Sequence, residues 1–154
     1  VTDVHWQGEY FNPAEPGTIQ SFPIQFWSDN AGQPGGSLLF QSILGNANGM
    51  SVGINVSGPV YDYSVDLIVP FQATGGTPYW LSIYANMVYP PQWGWHSGTG
   101  GDGVSFHGFF GEPNEQPYDF AFALTGSQVP EPTAMLLLGS GLLGLWGFRK
   151  KLKK

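Results

Sequence analysis

Three histidines, His5, His96 and His107, are the only imidazoles in the 154-residue chain. No two of them stand at i, i+2 or i, i+4, so no strand or helix encodes a local metal-binding pair, and a shared zinc site is not expected. The chain has no cysteine, which removes disulfides, thiol nucleophiles and Cys-ligated zinc together. Serines are plentiful, but no Gly-x-Ser-x-Gly elbow follows a strand into a helix. Glu9, Glu15, Glu112 and Glu115 could bring two carboxylates together for glycoside hydrolysis, but only across loops. Glu112 and Glu115 lie in Gly-Glu-Pro-Asn-Glu-Gln-Pro, a solvated loop by composition. Gly98-Thr99-Gly100-Gly101-Asp102-Gly103 has the composition of a calcium-binding turn, yet a single copy lacks the repeated ligands of such sites and reads as a tight turn. Asp29 and Asn30 are read as turn formers in the same way. No enzyme activity, cofactor or metal is expected.

The remaining chemistry is aromatic. Trp80, Tyr84, Tyr89, Trp93, Trp95 and His96 cluster in sequence, and Trp80 and Tyr84 fall opposite in phase to Leu81 and Ile83. Exposed rings with Asn, Gln and Asp nearby and no cation suit stacking on neutral sugars, which makes Trp80, Tyr84, Trp93 and Trp95 the candidate sugar-binding set. The competing reading, a second hydrophobic layer with Trp-Gly-Trp packed over a sandwich edge, is favoured because large aromatics in β-proteins are mostly core.

Charge narrows the function further. All five basic residues, Arg149, Lys150, Lys151, Lys153 and Lys154, stand at the C-terminus, so nothing before Arg149 can pair with a phosphate. Nucleic-acid binding is therefore excluded from the expected functions, and ATP or GTP chemistry is disfavoured.

The elements that must position these residues are strands. Gly and Pro number 23 and 13, aromatic residues make up 16% of the chain and charged residues 10%, a balance that favours short strands and turns over helices. Period-2 alternation is clearest over 61–71, with Tyr61, Tyr63, Val65, Leu67, Val69 and Phe71 on one face. Phe22, Ile24 and Phe26 form a second row, where Pro23 suggests an edge strand. Tyr79, Leu81, Ile83 and Ala85 form a third, and Phe120, Phe122 and Leu124 a fourth. Weaker strands are expected over 4–11, 37–44, 51–56, 93–96 and 104–109. Turn signals at 29–36, 45–49, 75–76 and 98–103 separate them. The expected fold is all-β: a jelly-roll-like β-sandwich of about eight to nine strands over residues 1–128, followed by one C-terminal hydrophobic transmembrane helix. No N-terminal apolar segment is in view; were the body exported, a removed or truncated signal peptide would be expected.

Residues 133–148 are uncharged, about 24 Å of helix. That is short for a bilayer core of about 30 Å, but Pro132 at the first helical position and snorkelling lysines narrow the gap, and Trp146 stands where an interfacial aromatic belongs. A buried soluble helix does not fit a run that is apolar on every face and abuts five cations. The positive end stays cytoplasmic, so the acidic body lies outside.

Val129-Pro130-Glu131-Pro132, the Leu/Gly-rich run and Arg149-Lys150-Lys151, in that order and spacing, closely resemble the PEP-CTERM sorting signal of bacterial exported proteins. The resemblance covers residues 129–154, although lysines follow Arg149 where the family often has arginines. It implies an exosortase substrate: motif 129–132, transmembrane helix 133–148 and a basic cytoplasmic tail 149–154. Such a chain is anchored in the inner membrane, cut near the motif, then released or attached at the cell surface and its exopolysaccharide. No Leu-Pro-x-Thr-Gly sortase motif is present, and a GPI signal would lack the basic end. The body also resembles a recurrent globular domain of PEP-CTERM proteins. The cues are Phe26-Trp27-Ser28-Asp29-Asn30 with Gly32 and Pro34-Gly35, then Tyr79-Trp80-Leu81-Ser82-Ile83, then Trp93-Gly94-Trp95. That likeness implies no activity. The expectation is a non-enzymatic exported surface protein, with a carbohydrate-binding module for exopolysaccharide as the alternative.

Overall fold

A computed structural model describes residues 1–108 and 114–127. Alternating apolar residues build β1 (Asp3–Phe11), β2 (Ile19–Asp29), β3 (Pro34–Leu44), β4 (Met50–Ile54) and β5 (Pro59–Asp66). Shorter pieces follow: β6 (Tyr79–Ile83), β7 (Asn86–Met87), β8 (Gln92–Trp95), β9 (Ser97–Gly98) and β10 (Ser105–His107). The described chain ends with β11 (Asn114–Gln116), β12 (Asp119–Phe120) and β13 (Phe122–Thr125). The described residues are all-β, and no helix among them is long and apolar enough to cross a membrane. The transmembrane segment expected over 133–148 lies outside the described residues.

Two antiparallel sheets carry the fold. In the first, β4, β5 and β1 lie side by side, and two strands share the other flank of β1. β13 pairs Asp3 to Trp6, and β8 pairs Gly8 to Phe11. Between them the Gln7 N–H donates to the Ala121 carbonyl at 3.1 Å and the His96 N–H to the Gln7 carbonyl at 2.9 Å, knitting three segments at one point. The second sheet repeats this plan: β2 pairs β3 on one flank and shares the other between β6 and β7.

The inward faces meet in an aromatic core. Val4 and Trp6 of β1, Phe22, Ile24 and Phe26 of β2, and Tyr63 of β5 are all buried. Trp6 stands edge-on to Phe22 at 5.0 Å and stacks on Tyr63 at 5.5 Å, so residues from both sheets interlock. Burying each of Val4, Phe22 and Ile24 contributes about 1.5–3 kcal/mol.

Several expectations change. Among the described residues thirteen strands replace eight to nine, because connections expected as loops contribute two- and three-residue pairings. The 61–71 strand ends at Asp66, and Val69 is 53% exposed while Leu67 and Phe71 remain buried. The 120–124 row breaks at Ala121, whose N–H turns to the His96 carbonyl at 2.8 Å. Pro23 does not mark an edge: β2 is central. Its carbonyl accepts from the Tyr84 N–H at 3.4 Å, so its nitrogen points the same way, into the interruption between β6 and β7. The missing donor therefore falls where no strand asks for one.

Candidate functional site

The outer face of the second sheet collects exposed and half-buried aromatics. Phe26 points into the core, so Trp27 points out, and the register sets Trp27 directly beside Trp80. Residues opposite one another in a ladder share a face. The next row is Phe40, Gln25 and Ser82. Tyr84 continues the β6 side, 55% exposed.

Internal hydrogen bonds lock both indoles. Trp27 Nε1 donates to Ser82 Oγ at 3.0 Å, and Trp80 Nε1 to Asp29 Oδ1 at 2.8 Å. Phe106 meets Trp80 edge-on at 5.2 Å. Asp29 also accepts the Gly32 N–H at 3.1 Å, in the Ala31-Gly32 hairpin turn where both residues have positive φ. One carboxylate thus closes the turn and orients a ring of the platform. Gln25 donates to Ser37 Oγ at 2.6 Å, adding amide and hydroxyl groups to the same face.

Of the four aromatics expected to bind sugar, the structure places only Trp80 and Tyr84 on this face. Trp93 and Trp95 lie opposite Tyr10 and Gly8 of β1 and point inward. Trp93 packs edge-on against Phe22 at 5.2 Å and donates from Nε1 to the Tyr63 hydroxyl at 3.2 Å. Trp95 stacks on Phe120 at 4.9 Å and donates to the Ala121 carbonyl at 2.9 Å. Sequence reasoning passed over Trp27 and Phe40. The signal for Trp27 was present, since it is out of phase with Phe22, Ile24 and Phe26; the β2–β6 pairing that brings it to Trp80 was not.

The first sheet's outer face carries a shallow groove of about 720 Å³, lined by His5, Gln7, Asp62 and Ser64, with His96 at one side and Met50 and Val52 at the other. Gln7 Nε2 donates to Asp62 Oδ1 at 2.7 Å. Glu9, nearly buried, accepts from Asn55 Nδ2 at 2.8 Å, and its other oxygen lies 3.3 Å from His96 Nδ1. Its carboxylate ties the β4–β5 turn to the junction at His96, a structural use of the group.

The other chemical candidates separate. His5 lies 3.7 Å from Asp3, and His107 meets the Phe120 ring at 6.3 Å. Glu15 is exposed, Glu115 pairs with Phe106 in the β10–β11 ladder, and Glu112 lies outside the described residues. Among the described residues no three His, Asp or Glu side chains form a group that could hold a metal ion. The Gly-x-Ser-x-Gly string at 49–53 runs into the exposed strand β4 rather than turning into a helix. In the 98–103 turn, Asp119 accepts the N–H groups of Gly101 and Gly103 at 3.0 and 2.9 Å.

Burial pushes the Tyr63 phenol far above the ordinary tyrosine range, and its hydrogen bond with Tyr10 acts in the same direction. Tyr10 is raised as well, chiefly by burial.

Val129, Pro130, Glu131 and Pro132, and Arg149, Lys150 and Lys151, lie outside the described residues, but comparison with known families reaches them. The PEP-CTERM protein-sorting motif matches residues 128–151, so this is a PEP-CTERM domain-containing protein, of the class exported by bacteria, targeted to exosortase and processed at the membrane. A second match, to the domain of unknown function DUF7901, spans residues 45–125, more than half of the chain, and the protein belongs to that family. No curated protein and no solved structure matches it.

Proposed function

We propose that the chain is a non-enzymatic surface protein whose body, residues 1–128, folds as a jelly-roll-like sandwich and is delivered outside by the tail, residues 129–154. Residues 133–148 hold the precursor in the inner membrane as a helix, with Arg149, Lys150 and Lys151 on the cytoplasmic side. The observation that carries this reading is the PEP-CTERM match at 128–151, which follows β13, the last strand among the described residues. The two prolines keep the backbone extended and accessible to a protease at the outer face. Cutting there removes all five cations and leaves a body with acidic charge alone. Mass spectrometry of the protein from its native host tests this. The mature chain is expected to end near residues 130–132; if most copies retain residues 136–154, the tail is a permanent anchor and the reading fails.

A second reading, carbohydrate binding to exopolysaccharide, is favoured by one feature: Trp27 and Trp80 side by side on an outer face with Gln25, Ser82 and no cation. Rings already hydrogen-bonded within the face lose little freedom when a pyranose stacks on them. A glycan screen of the protein checks it. Trp80→Ala is expected to weaken binding about tenfold or more, about 1.4 kcal/mol. Binding unaffected by both Trp27→Ala and Trp80→Ala would remove this face from consideration.

A further inference from the structure

Sheet edges are the places where a β-protein risks pairing with another chain. Among the described residues, most edges here are blunted. β4 has five residues and a register shift between Ser51 and Gly53. β13 has four residues and β7 two, while β6 carries Trp80 under Phe106. β3 differs. It has eleven residues and pairs β2 without interruption from Leu39 to Leu44. That stretch contains no proline, no charge and no bulge, and no described strand lies on its other flank.

The hydrogen-bonding direction of this edge follows from the register. The Pro23 carbonyl points toward β6, so Pro23 and Ser42 form a non-hydrogen-bonded pair. The Gly45 N–H donating to the Gln20 carbonyl at 2.8 Å fixes the same alternation. Ser42 therefore directs both its N–H and its carbonyl away from β2, and Phe40 and Leu44 do likewise. These are the free groups of the edge.

Charge indicates the occupant. Residues 1–128 hold ten of the eleven acidic side chains and no basic one. Yet no charged residue occurs from Asn30 to Tyr61, the stretch that forms β3, β4 and their connections. Two copies of a body this acidic repel one another wherever carboxylates face each other, and this edge carries none. A cationic partner would be drawn to the acidic faces instead.

We infer that β3 is a self-association edge: two copies pair it antiparallel about a twofold axis through Ser42, joining their second sheets into one. An axis perpendicular to the sheet preserves its faces, so Ser42 meets Ser42 of the second copy and Phe40 meets Leu44. Phe40 and Leu44, 55% and 84% exposed in the single copy, cover each other as outward-facing apolar pairs. Antiparallel pairing is self-complementary, which is what a twofold interface requires.

The absence of native cysteine makes the test direct. Opposed Cα atoms in a hydrogen-bonded pair lie about 5.5 Å apart, within disulfide range. The full chain in detergent, carrying Ser42→Cys and mildly oxidised, is expected to run as a covalent dimer, whereas Thr99→Cys in an exposed loop is not. Adding Leu44→Lys, at a site too exposed to disturb folding, is expected to reduce the Ser42→Cys dimer at least tenfold. Equal cross-linking at positions 42 and 99 would assign association to the apolar tail and overturn the proposal. So would a Ser42→Cys chain that stays monomeric, or a dimer that Leu44→Lys leaves intact.

Discussion

Gly8 lies under the Trp93 indole, and substituting it measures how tightly β8 is seated on β1. A Cβ built at this position would come within 2.6 Å of Trp93 Nε1, with ring carbons nearer still, far inside van der Waals contact. Gly8 does not have a positive φ, so alanine meets no backbone penalty there; replacing a strand glycine should by itself stabilise by about 0.5–1 kcal/mol. The clash acts the other way. The indole cannot tilt freely, because it is wedged against Phe22 and Tyr63 and donates to the Tyr63 hydroxyl. Overpacking of this kind costs about 1–3 kcal/mol, and losing the indole–phenol hydrogen bond adds about 1 kcal/mol. Gly8→Ala is therefore expected to destabilise the fold by about 1–3 kcal/mol net. Denaturant unfolding of the full chain in mild detergent, followed by tryptophan fluorescence, reads the change as a shift in midpoint. A double-mutant cycle isolates the cause. Trp93→Ala alone should cost about 3–5 kcal/mol, and in its background Gly8→Ala should become neutral or stabilising. A Gly8→Ala cost that persists undiminished without the indole would refute the argument that Trp93 is a core residue seated on Gly8.

Gln41, buried on the inward face of β3, donates from its side-chain Nε2 to the Val69 carbonyl at 2.8 Å and accepts the Val69 N–H at its side-chain oxygen at 3.0 Å. It holds the segment after β5 through its side chain and leaves the backbone edge of β3 unpaired among the described residues. Gln41→Ala should cost about 1–3 kcal/mol and speed hydrogen exchange of the Val69 amide at least tenfold; unchanged exchange would mean that the segment is held by other contacts. For Tyr63 and Tyr10, folding raises the phenol pKa, so the folded state keeps a proton that the unfolded chain loses. Their contribution is thus fully present below the ordinary value of about 10 and declines as pH rises beyond it. Stability measured from pH 8 to 11 should fall above about pH 10, and Tyr63→Phe should reduce that slope by up to about 1.4 kcal/mol per pH unit. Equal slopes in the two proteins would count against a buried phenol at this position.

Alternation along a single strand is a local property, which is why the rows Phe22-Ile24-Phe26 and Tyr79-Leu81-Ile83 could be assigned to the core before any pairing was known. The structure buries or half-buries each of these residues in the shared core. The tail was legible for a related reason: an uncharged run closed by all five cations is a one-dimensional pattern, and it is the part that the PEP-CTERM match covers.

What sequence could not supply was partnership. Pro23 reads as an edge marker only if every flank of its strand needs a donor, and the gap between β6 and β7 removes that need. Trp80 and Trp93 look alike as members of one aromatic cluster. Phase within a strand says which residues share a face but not which face is covered, and the pairing of β8 with β1 sends Trp93 inward while that of β6 with β2 leaves Trp80 outside. Trp27 joins Trp80 across a separation of 53 positions, and only a long-range register creates that neighbour. The order and spacing of nearby residues were enough for the β class, for the inward rows Phe22-Ile24-Phe26 and Tyr79-Leu81-Ile83, and for the export signal, because each is a local pattern. Tertiary structure alone decided which aromatics are core and which strand is left as an open edge, because these depend on contacts between segments far apart in the chain.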